Sequence, residues 1–400
     1  MSRTVFILGA GASKATGAPL MCEFLDKAEE LLFKSGMSGN LKEFKTDFNR
    51  VFEVIWNIRQ AVFEKSTLNL DSIEEVLALF EMGKIIKRIP GISDDTELDQ
   101  LITSARRMVF MTLQETVEFP YVKGRFIDLP DETYGKLSKL LIKLKLKCLY
   151  EYLDPHGCSV ITFNYDIALD HALAHSMRFN RDSKLEVDYG LEFKGRDRGV
   201  TSIPMNIPLL KLHGSLNWFM CKGCGKIFTY NLNDKLMIGA LKNSTMQAVF
   251  SERKRCTVDL YNTISSYVNR TKCQQCGAKN TFEPFIVPPS WNKTEYHKVL
   301  ENVWNQAATE LSEAENIYIS GYSLPETDYF FKYLFALGAI GRDRIKKFWV
   351  FDPDDSDVVA KRYDAIIGAG IKKRFKYLSL SFNEALDYIL KDMKISLDEN

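Results

Sequence analysis

Four of the eight cysteines in this 400-residue chain fall into two matching knuckles, Cys221-Lys222-Gly223-Cys224-Gly225 and Cys273-Gln274-Gln275-Cys276-Gly277. Two Cys-x-x-Cys-Gly turns can bring four thiolates onto one tetrahedral zinc ion, a closed set that is structural rather than catalytic. Eight cysteines are too few for a disulfide scaffold. The expectation is therefore structural Zn2+ held by Cys221, Cys224, Cys273 and Cys276 in a cytoplasmic protein. The 48 residues between Cys224 and Cys273 exceed a compact ribbon and imply a small module of their own.

A second group of residues carries acid–base chemistry. Of five histidines, only His213 follows an apolar stretch and precedes a glycine. An imidazole with pKa near ~6.5 can take a proton at neutral pH; a buried histidine with satisfied hydrogen bonds is the alternative. Asn164 cannot act as a base, but its amide can orient a water or a ribose hydroxyl. Asp166 can cap a helix over 167–177 or face a ligand. Asp352 is placed to accept from an adenosine ribose hydroxyl, or to make a turn with Pro353. His171 and His175, one helical turn apart, read as a surface face, with a metal pair as the alternative; no HExxH frame surrounds them.

The third feature is Gly9-Ala10-Gly11-Ala12-Ser13, directly after the apolar run 4–8. Glycines let a backbone approach a phosphate, and a helix beginning there supplies N–H groups and partial positive charge. The full dinucleotide fingerprint is absent because Lys14 stands where the third glycine belongs, and no Walker sequence is present. A nucleotide site and a plain tight turn both remain open on this evidence.

These residues need elements to position them. Short apolar runs at 4–8, 159–163, 209–212, 316–320, 347–351 and 375–379 alternate with helical patterns. The expected class is α/β, a Rossmann-like parallel sheet of about six strands. In such a sheet ligands bind beyond the carboxyl ends of the strands. Here those ends read Gly9-Ala10-Gly11, Asn164-Tyr165-Asp166, His213-Gly214-Ser215, Gly321-Tyr322-Ser323 and Asp352-Pro353-Asp354. Residues 21–154 are helical by period, with helices expected over 21–34, 41–65, 73–86 (opened by a Ser72/Glu75 capping box), 101–117 and 133–153. The expected organisation is a Rossmann-like domain from 1–20, 155–220 and 280–385, a helical insertion over 21–154 that can also serve as an oligomer or partner surface, and a zinc module over 221–279.

Composition excludes several classes. The 53 basic and 52 acidic residues nearly cancel, which argues against a bulk electrostatic grip on nucleic acid, including by the zinc knuckles. No apolar run reaches the ~18 residues of a membrane span.

The sequence resembles the sirtuin-like NAD-consuming domains, especially bacterial antiphage-defence members. The matching stretches are ILGAGAS at 7–13 with Gly17-Ala18-Pro19, ITFNYD at 161–166, LLKLHGSLNW at 209–218, the two knuckles, and ISGYSLPETD at 319–328. They cover 1–25 and 155–360. The resemblance implies NAD as substrate on a Rossmann-like sheet beside a zinc module. It implies Ala10, Gly11 and Ser13 at the pyrophosphate, Asn164 and Asp166 on the nicotinamide-ribose side, His213 as general base, and Gly321 and Ser323 at phosphate or the adenosine ribose. It also implies an oligomer and a HerA-type ATPase partner. Two departures stand out: Leu20-Met21-Cys22 replaces the Asp-Phe-Arg segment of the protein deacylases, and Phe163 replaces the glutamine before the asparagine. Both favour NAD+ hydrolysis to ADP-ribose and nicotinamide over deacylation. A deacylase and a non-catalytic NAD or ADP-ribose sensor are the alternatives.

Overall fold

The computed structural model describes residues 3–33, 41–62, 68–120, 130–150, 157–179, 185–191, 206–229, 255–262, 264, 272–273, 275–279, 282–287, 294–325, 329–338 and 345–397. His156, Arg253, Lys254 and residues 326–328 lie outside them.

Every residue of β1 (Thr4–Leu8) is buried, because the strand lies at the centre of a sheet covered on both faces. The other strands along the chain are β2 (Phe119–Pro120), β3 (Cys158–Thr162), β4 (Glu186–Asp188), β5 (Asn206–Lys211), β6 (Gly214–Cys221), β7 (Ile227–Thr229), β8 (Arg255–Cys256), β9 (Phe282–Ile286), β10 (Asn316–Ser320), β11 (Lys347–Phe351) and β12 (Phe375–Leu378). The main sheet has seven strands in the order β12-β11-β10-β1-β3-β5-β4, all parallel. The seventh strand, β4, gave no sequence signal: it is three residues long, two of them acidic, and pairs on one side only.

From β1 the chain builds outward through β3 and β5, then returns to add β10 on the opposite side of β1. The direction of winding therefore reverses between β1 and β10, and a crevice opens at the carboxyl ends of strands at such a reversal.

Side chains alternate across each strand, so neighbours identify the two covering layers. On β11, Trp349 packs edge-on to Tyr388 of the helix Phe382–Met393, while Phe348 packs against Phe335 of the helix Tyr329–Gly338. The helix Phe382–Met393 opens with a capping box, Ser381 with Glu384. The box expected at Ser72 and Glu75 does not form: Ser72 makes no side-chain cap, and Glu75 accepts from the Asn69 N–H instead.

The helical segment divides. Along the chain it comprises α1 (Ala10–Ser13), α2 (Phe24–Phe33), α3 (Leu41–Val62), α4 (Ile73–Ile86), α5 (Asp95–Thr116) and α6 (Glu132–Tyr150). Helices α2–α5 enclose one core, around Phe48, Val51, Val76, Leu101 and Phe110. Helix α6 instead buries Leu137, Leu140, Leu141 and Leu144 in the core of the sheet, a stripe at helical spacing. Helices α2–α5 and helix α6 of the segment 21–154 thus belong to different cores, and the first of these also takes in Tyr165, Ile167, Leu216, Phe219 and Ile286. Helix α5 also starts six residues before the expected 101, because the Asp94 carboxylate caps it by accepting from the Glu97 N–H. Strands β6, β7 and β9 form a second, antiparallel sheet of three strands. Among the described residues no helix is long and apolar enough to cross a membrane.

Candidate active site at the winding reversal

The loops leaving β1 and β10 interlock through glycines. Gly9 N–H donates to the Ser320 carbonyl at 3.1 Å and Gly11 N–H to the Gly321 carbonyl at 2.8 Å. A Cβ on Gly321 would lie 2.0 Å from the Ala12 nitrogen, and this residue has φ +64°. A Cβ on Gly9 would lie 2.7 Å from Cα of Tyr322. No larger residue fits these positions without moving backbone. A single-turn helix begins at Ala10, directly after Gly9, ahead of the helix expected beyond Pro19, which is α2 (Phe24–Phe33). The Gly9 and Gly11 amides expected to face a phosphate are thus engaged with the neighbouring loop in this arrangement.

Beneath the turn, the Ser13 hydroxyl is the hub of a buried network. It donates to Asp166 Oδ2 at 2.6 Å and receives Asn164 Nδ2 at 2.9 Å. Its third contact, 2.6 Å from the Tyr134 hydroxyl, must then be donated by the tyrosine. Burial, and next the nearby Asp166 charge, hold the Tyr134 phenol well above its ordinary range, which keeps that proton in place. All three hydrogen-bonding positions of the Ser13 hydroxyl are occupied, so the pyrophosphate contact expected of it is not open to its side chain here. Asp166 also accepts from the Ala168 N–H at 2.9 Å, at the start of α7 (Ala168–Phe179). Both its oxygens are engaged within the protein, Oδ2 by Ser13 and Oδ1 by the Ala168 N–H. Burial pushes the Asp166 carboxyl up from the ordinary 3.8, with Lys211 pulling the other way.

Asn164 spans the gap between this network and the open side. Its Nδ2 donates to the Gly9 carbonyl at 2.8 Å as well as to Ser13. The Gly9 carbonyl can only accept, so the amide orientation is set, and Asn164 presents its carbonyl oxygen as an acceptor.

A second network lay hidden in the sequence. Lys211, an interior residue of the run LLKLHG, donates to the Asp166 backbone carbonyl at 2.6 Å and to Asp170 Oδ2 at 2.9 Å. Both charged side chains are 1% exposed. Tyr189 donates to Asp170 Oδ1 at 2.6 Å and receives Asn217 at 3.1 Å. Lysine in a buried strand was the available signal, since such a charge requires a partner. Tyr134 gave none, because a tyrosine at helical spacing reads as core.

His213 follows β5 and is 3% exposed. Its ring meets the Phe163 ring edge-on at 5.4 Å and lies 6.1 Å from Tyr165, so the residues flanking Asn164 both pack against it. The loop is fixed by Val287 N–H to the His213 carbonyl (2.8 Å) and Tyr165 hydroxyl to the Val287 carbonyl (2.8 Å). Gly214 has φ +85°, and a Cβ there would meet the Phe285 carbonyl at 2.4 Å. On its far side Phe163 stacks on Tyr322, with ring centroids 4.3 Å apart and planes 11° from parallel. A continuous path of contacts thus runs from the glycine turn through Tyr322 and Phe163 to the imidazole.

Asp352 directly follows β11, whose last carbonyl, that of Phe351, accepts from the Gly321 N–H at 3.3 Å. It makes the turn with its own carboxylate, accepting from Asp354 N–H at 3.0 Å, and burial raises it from the ordinary 3.8. Ser323 is exposed. His171, read as surface, is buried against Phe119 at 5.2 Å between ring centroids.

The metal knuckles converge. The four cysteine sulfurs lie within 4.8 Å of one another, with Cys221–Cys276 and Cys224–Cys273 each at 3.7 Å. Four sulfurs at ~2.3 Å from a tetrahedral zinc would be separated by about 3.8 Å. Each knuckle closes identically: Gly225 N–H donates to the Cys221 carbonyl and Gly277 N–H to the Cys273 carbonyl, both at 2.8 Å. Both glycines have positive φ, +70° and +74°. The donor set fits a structural zinc ion.

No known protein-family profile matches the chain, and no curated protein matches it. Among solved structures it is similar to one described as a crystal structure of a Sir2 homolog–NAD complex, at 15% identity, covering 99% of this chain and 91% of that one, with a TM-score of 0.39. It is also similar to Sir2Tm bound to a propionylated peptide, at 13% identity over 98% and 94% of the two chains, with a TM-score of 0.35. A third is a Sir2–p53 peptide–NAD+ structure, at 13% identity over 98% and 94%, also with a TM-score of 0.35.

Proposed function

We propose that this chain is a NAD+ hydrolase of the sirtuin-like class, converting NAD+ and water to ADP-ribose, nicotinamide and a proton. One observation carries the reading: the Asn164 amide is fixed by Gly9 and Ser13 beside the winding reversal of a parallel sheet, and the His213 ring packs against Phe163 and Tyr165, the residues on either side of that asparagine. The motif set at 7–13, 161–166, 209–218 and 319–328 supports the same reading.

The bond to break joins ribose to a cationic pyridinium. Its electron pair leaves with nicotinamide and neutralises the ring, so the leaving group needs no proton. The transition state is oxocarbenium-like, as in glycoside hydrolysis. Asn164 accepts from the ribose hydroxyl or the water, and His213 takes the proton as water adds to the anomeric carbon. Ser13 and Asp166 hold Asn164 from below. Gly9, Ala10, Gly11, Gly321 and Ser323 flank the pyrophosphate, and Asp352 the adenosine ribose. Phe163 in place of glutamine favours water over an acylated peptide as the second reactant.

The test is chromatography for nicotinamide after incubating purified protein with NAD+. Wild type releases it, whereas His213→Ala and Asn164→Ala do not. Ordinary release by either variant overturns the assignment. Cytoplasmic depletion of NAD as an antiphage effector, as an oligomer and with a HerA-type ATPase partner, follows from the motif resemblance. It is checked by cellular NAD levels during infection, with and without that partner.

A further inference from the structure

The aromatic stack between the glycine turn and His213 has no part in the reaction as written, and its geometry gives it one. Phe163 and Tyr322 lie face to face at 4.3 Å and 11°, while Phe331 meets both rings edge-on, at 5.6 and 5.1 Å. We propose that Phe163 is the stacking platform for the pyridinium ring, and that Tyr322 covers it in the ligand-free chain and must swing away before His213 is reached. The proposal rests on NAD+ being the substrate.

Three observations support it. The first is adjacency: Phe163 directly precedes Asn164, the ribose-side acceptor, and its ring meets the His213 ring at 5.4 Å with planes 66° apart. A pyridinium replacing Tyr322 on that face would place its ribose bond beside both catalytic residues.

The second is a difference in anchorage. Phe163 continues the central strand β3, and its N–H donates to the Leu8 carbonyl at 3.1 Å. Tyr322 belongs to a loop with φ +64° at Gly321 and φ +48° at Leu324. A left-handed leucine is strained, and such strain collects in segments that switch. The Tyr322 carbonyl is held by the Tyr363 hydroxyl at 2.6 Å, so the proposed motion is confined to the side chain.

The third is charge. The nearby carboxylates Asp166 and Asp170 are buried and turned to Ser13 and Lys211, so they do not pair with the pyridinium. An aromatic face attracts a cation through its quadrupole. The neutral dihydropyridine of NADH lacks that attraction.

The proposal predicts opposite effects from two residues of one stack. Phe163→Leu should raise KM for NAD+ about tenfold and erase discrimination against NADH. Tyr322→Ala should uncover the platform and lower KM, with Tyr322→Phe behaving as wild type. In wild type, NADH should compete about tenfold less well than NAD+ binds. KM shifts in the same direction for Phe163→Leu and Tyr322→Ala, or equal affinity of wild type for NAD+ and NADH, would overturn the proposal. If wild type releases no nicotinamide, the hydrolase reading fails. Calorimetric titration of NAD+ and NADH into wild type still decides the platform, since a preference for NAD+ sustains it and equal or absent binding ends it.

Discussion

The two halves of the candidate site are built from different materials. The half under the glycine turn is polar and saturated: Ser13, Tyr134, Asn164, Asp166, Lys211 and Asp170 exchange hydrogen bonds of 2.6–2.9 Å. The half around His213 is aromatic: the rings of Phe163, Tyr165, Tyr322 and His213 pack on one another, and hydrogen bonds hold the backbone and the Tyr165 hydroxyl at its margin. Saturated networks are rigid because every broken bond leaves a buried group unpaired. A stacked ring can be exchanged for another flat ring of like shape. On the proposed reading, one half is set before NAD+ arrives, and the other is where its pyridinium ring is received.

That contrast can be broken by mutation. The largest effect on stability is expected on the polar side. Lys211→Met leaves the buried Asp170 charge without its cation, with only the Tyr189 hydroxyl still bonded to it, and should cost about 3–5 kcal/mol, read as a shift in the urea midpoint. Adding Asp170→Asn to that variant should recover much of the loss. On the aromatic side, His213→Ala should lower turnover about 10²–10⁴-fold, with a smaller shift in the same midpoint than Lys211→Met because ring packing but no buried charge partner is lost. If the two variants exchange these phenotypes, the division between halves is wrong. Ser13→Ala should come next, at about 1–3 kcal/mol, with turnover falling further than the stability loss explains because Asn164 loses one of its anchors.

The smallest effect sharpens the comparison through pH. Burial raises the Asp166 carboxyl in the folded chain, so the folded state binds its proton more tightly than the unfolded chain does. Its contribution to stability is therefore fully present at acid pH, and falls as pH rises from about 3.8 through the raised folded value. Asp166→Asn lacks that slope. Melting curves from pH 4 to 7 should show the variant gaining on wild type as pH rises; a constant gap would mean that the Asp166 charge is fully compensated by Lys211.

The sequence revealed strands and strand ends more clearly than it revealed what the ends face. Apolar runs marked β1, β10 and β11 to the residue, because buried parallel strands carry continuous apolar sequence. Acidic β4 carried none. Asn164 and His213 were legible as polar residues following such runs. The inward turn of Ser13 and Asp166 was not, since it depends on Tyr134 arriving from α6, 121 residues beyond Ser13. His171 read as surface by its pairing with His175, whereas Phe119, far away in sequence, covers it. Local pattern reports burial of runs, and it is silent about single partners brought from a distance.

Strand β6 begins one residue after the imidazole and ends at the first cysteine of the metal set, eight residues in all. That is a rod of roughly 26 Å, with His213 at one end and the sulfur clasp at the other. Oxidants attack thiolates released from a metal ion, and an opened clasp would slacken the rod. On the proposed reading the chain would then carry its own fuse: peroxide or a strong chelator should silence NAD+ turnover by acting on the clasp.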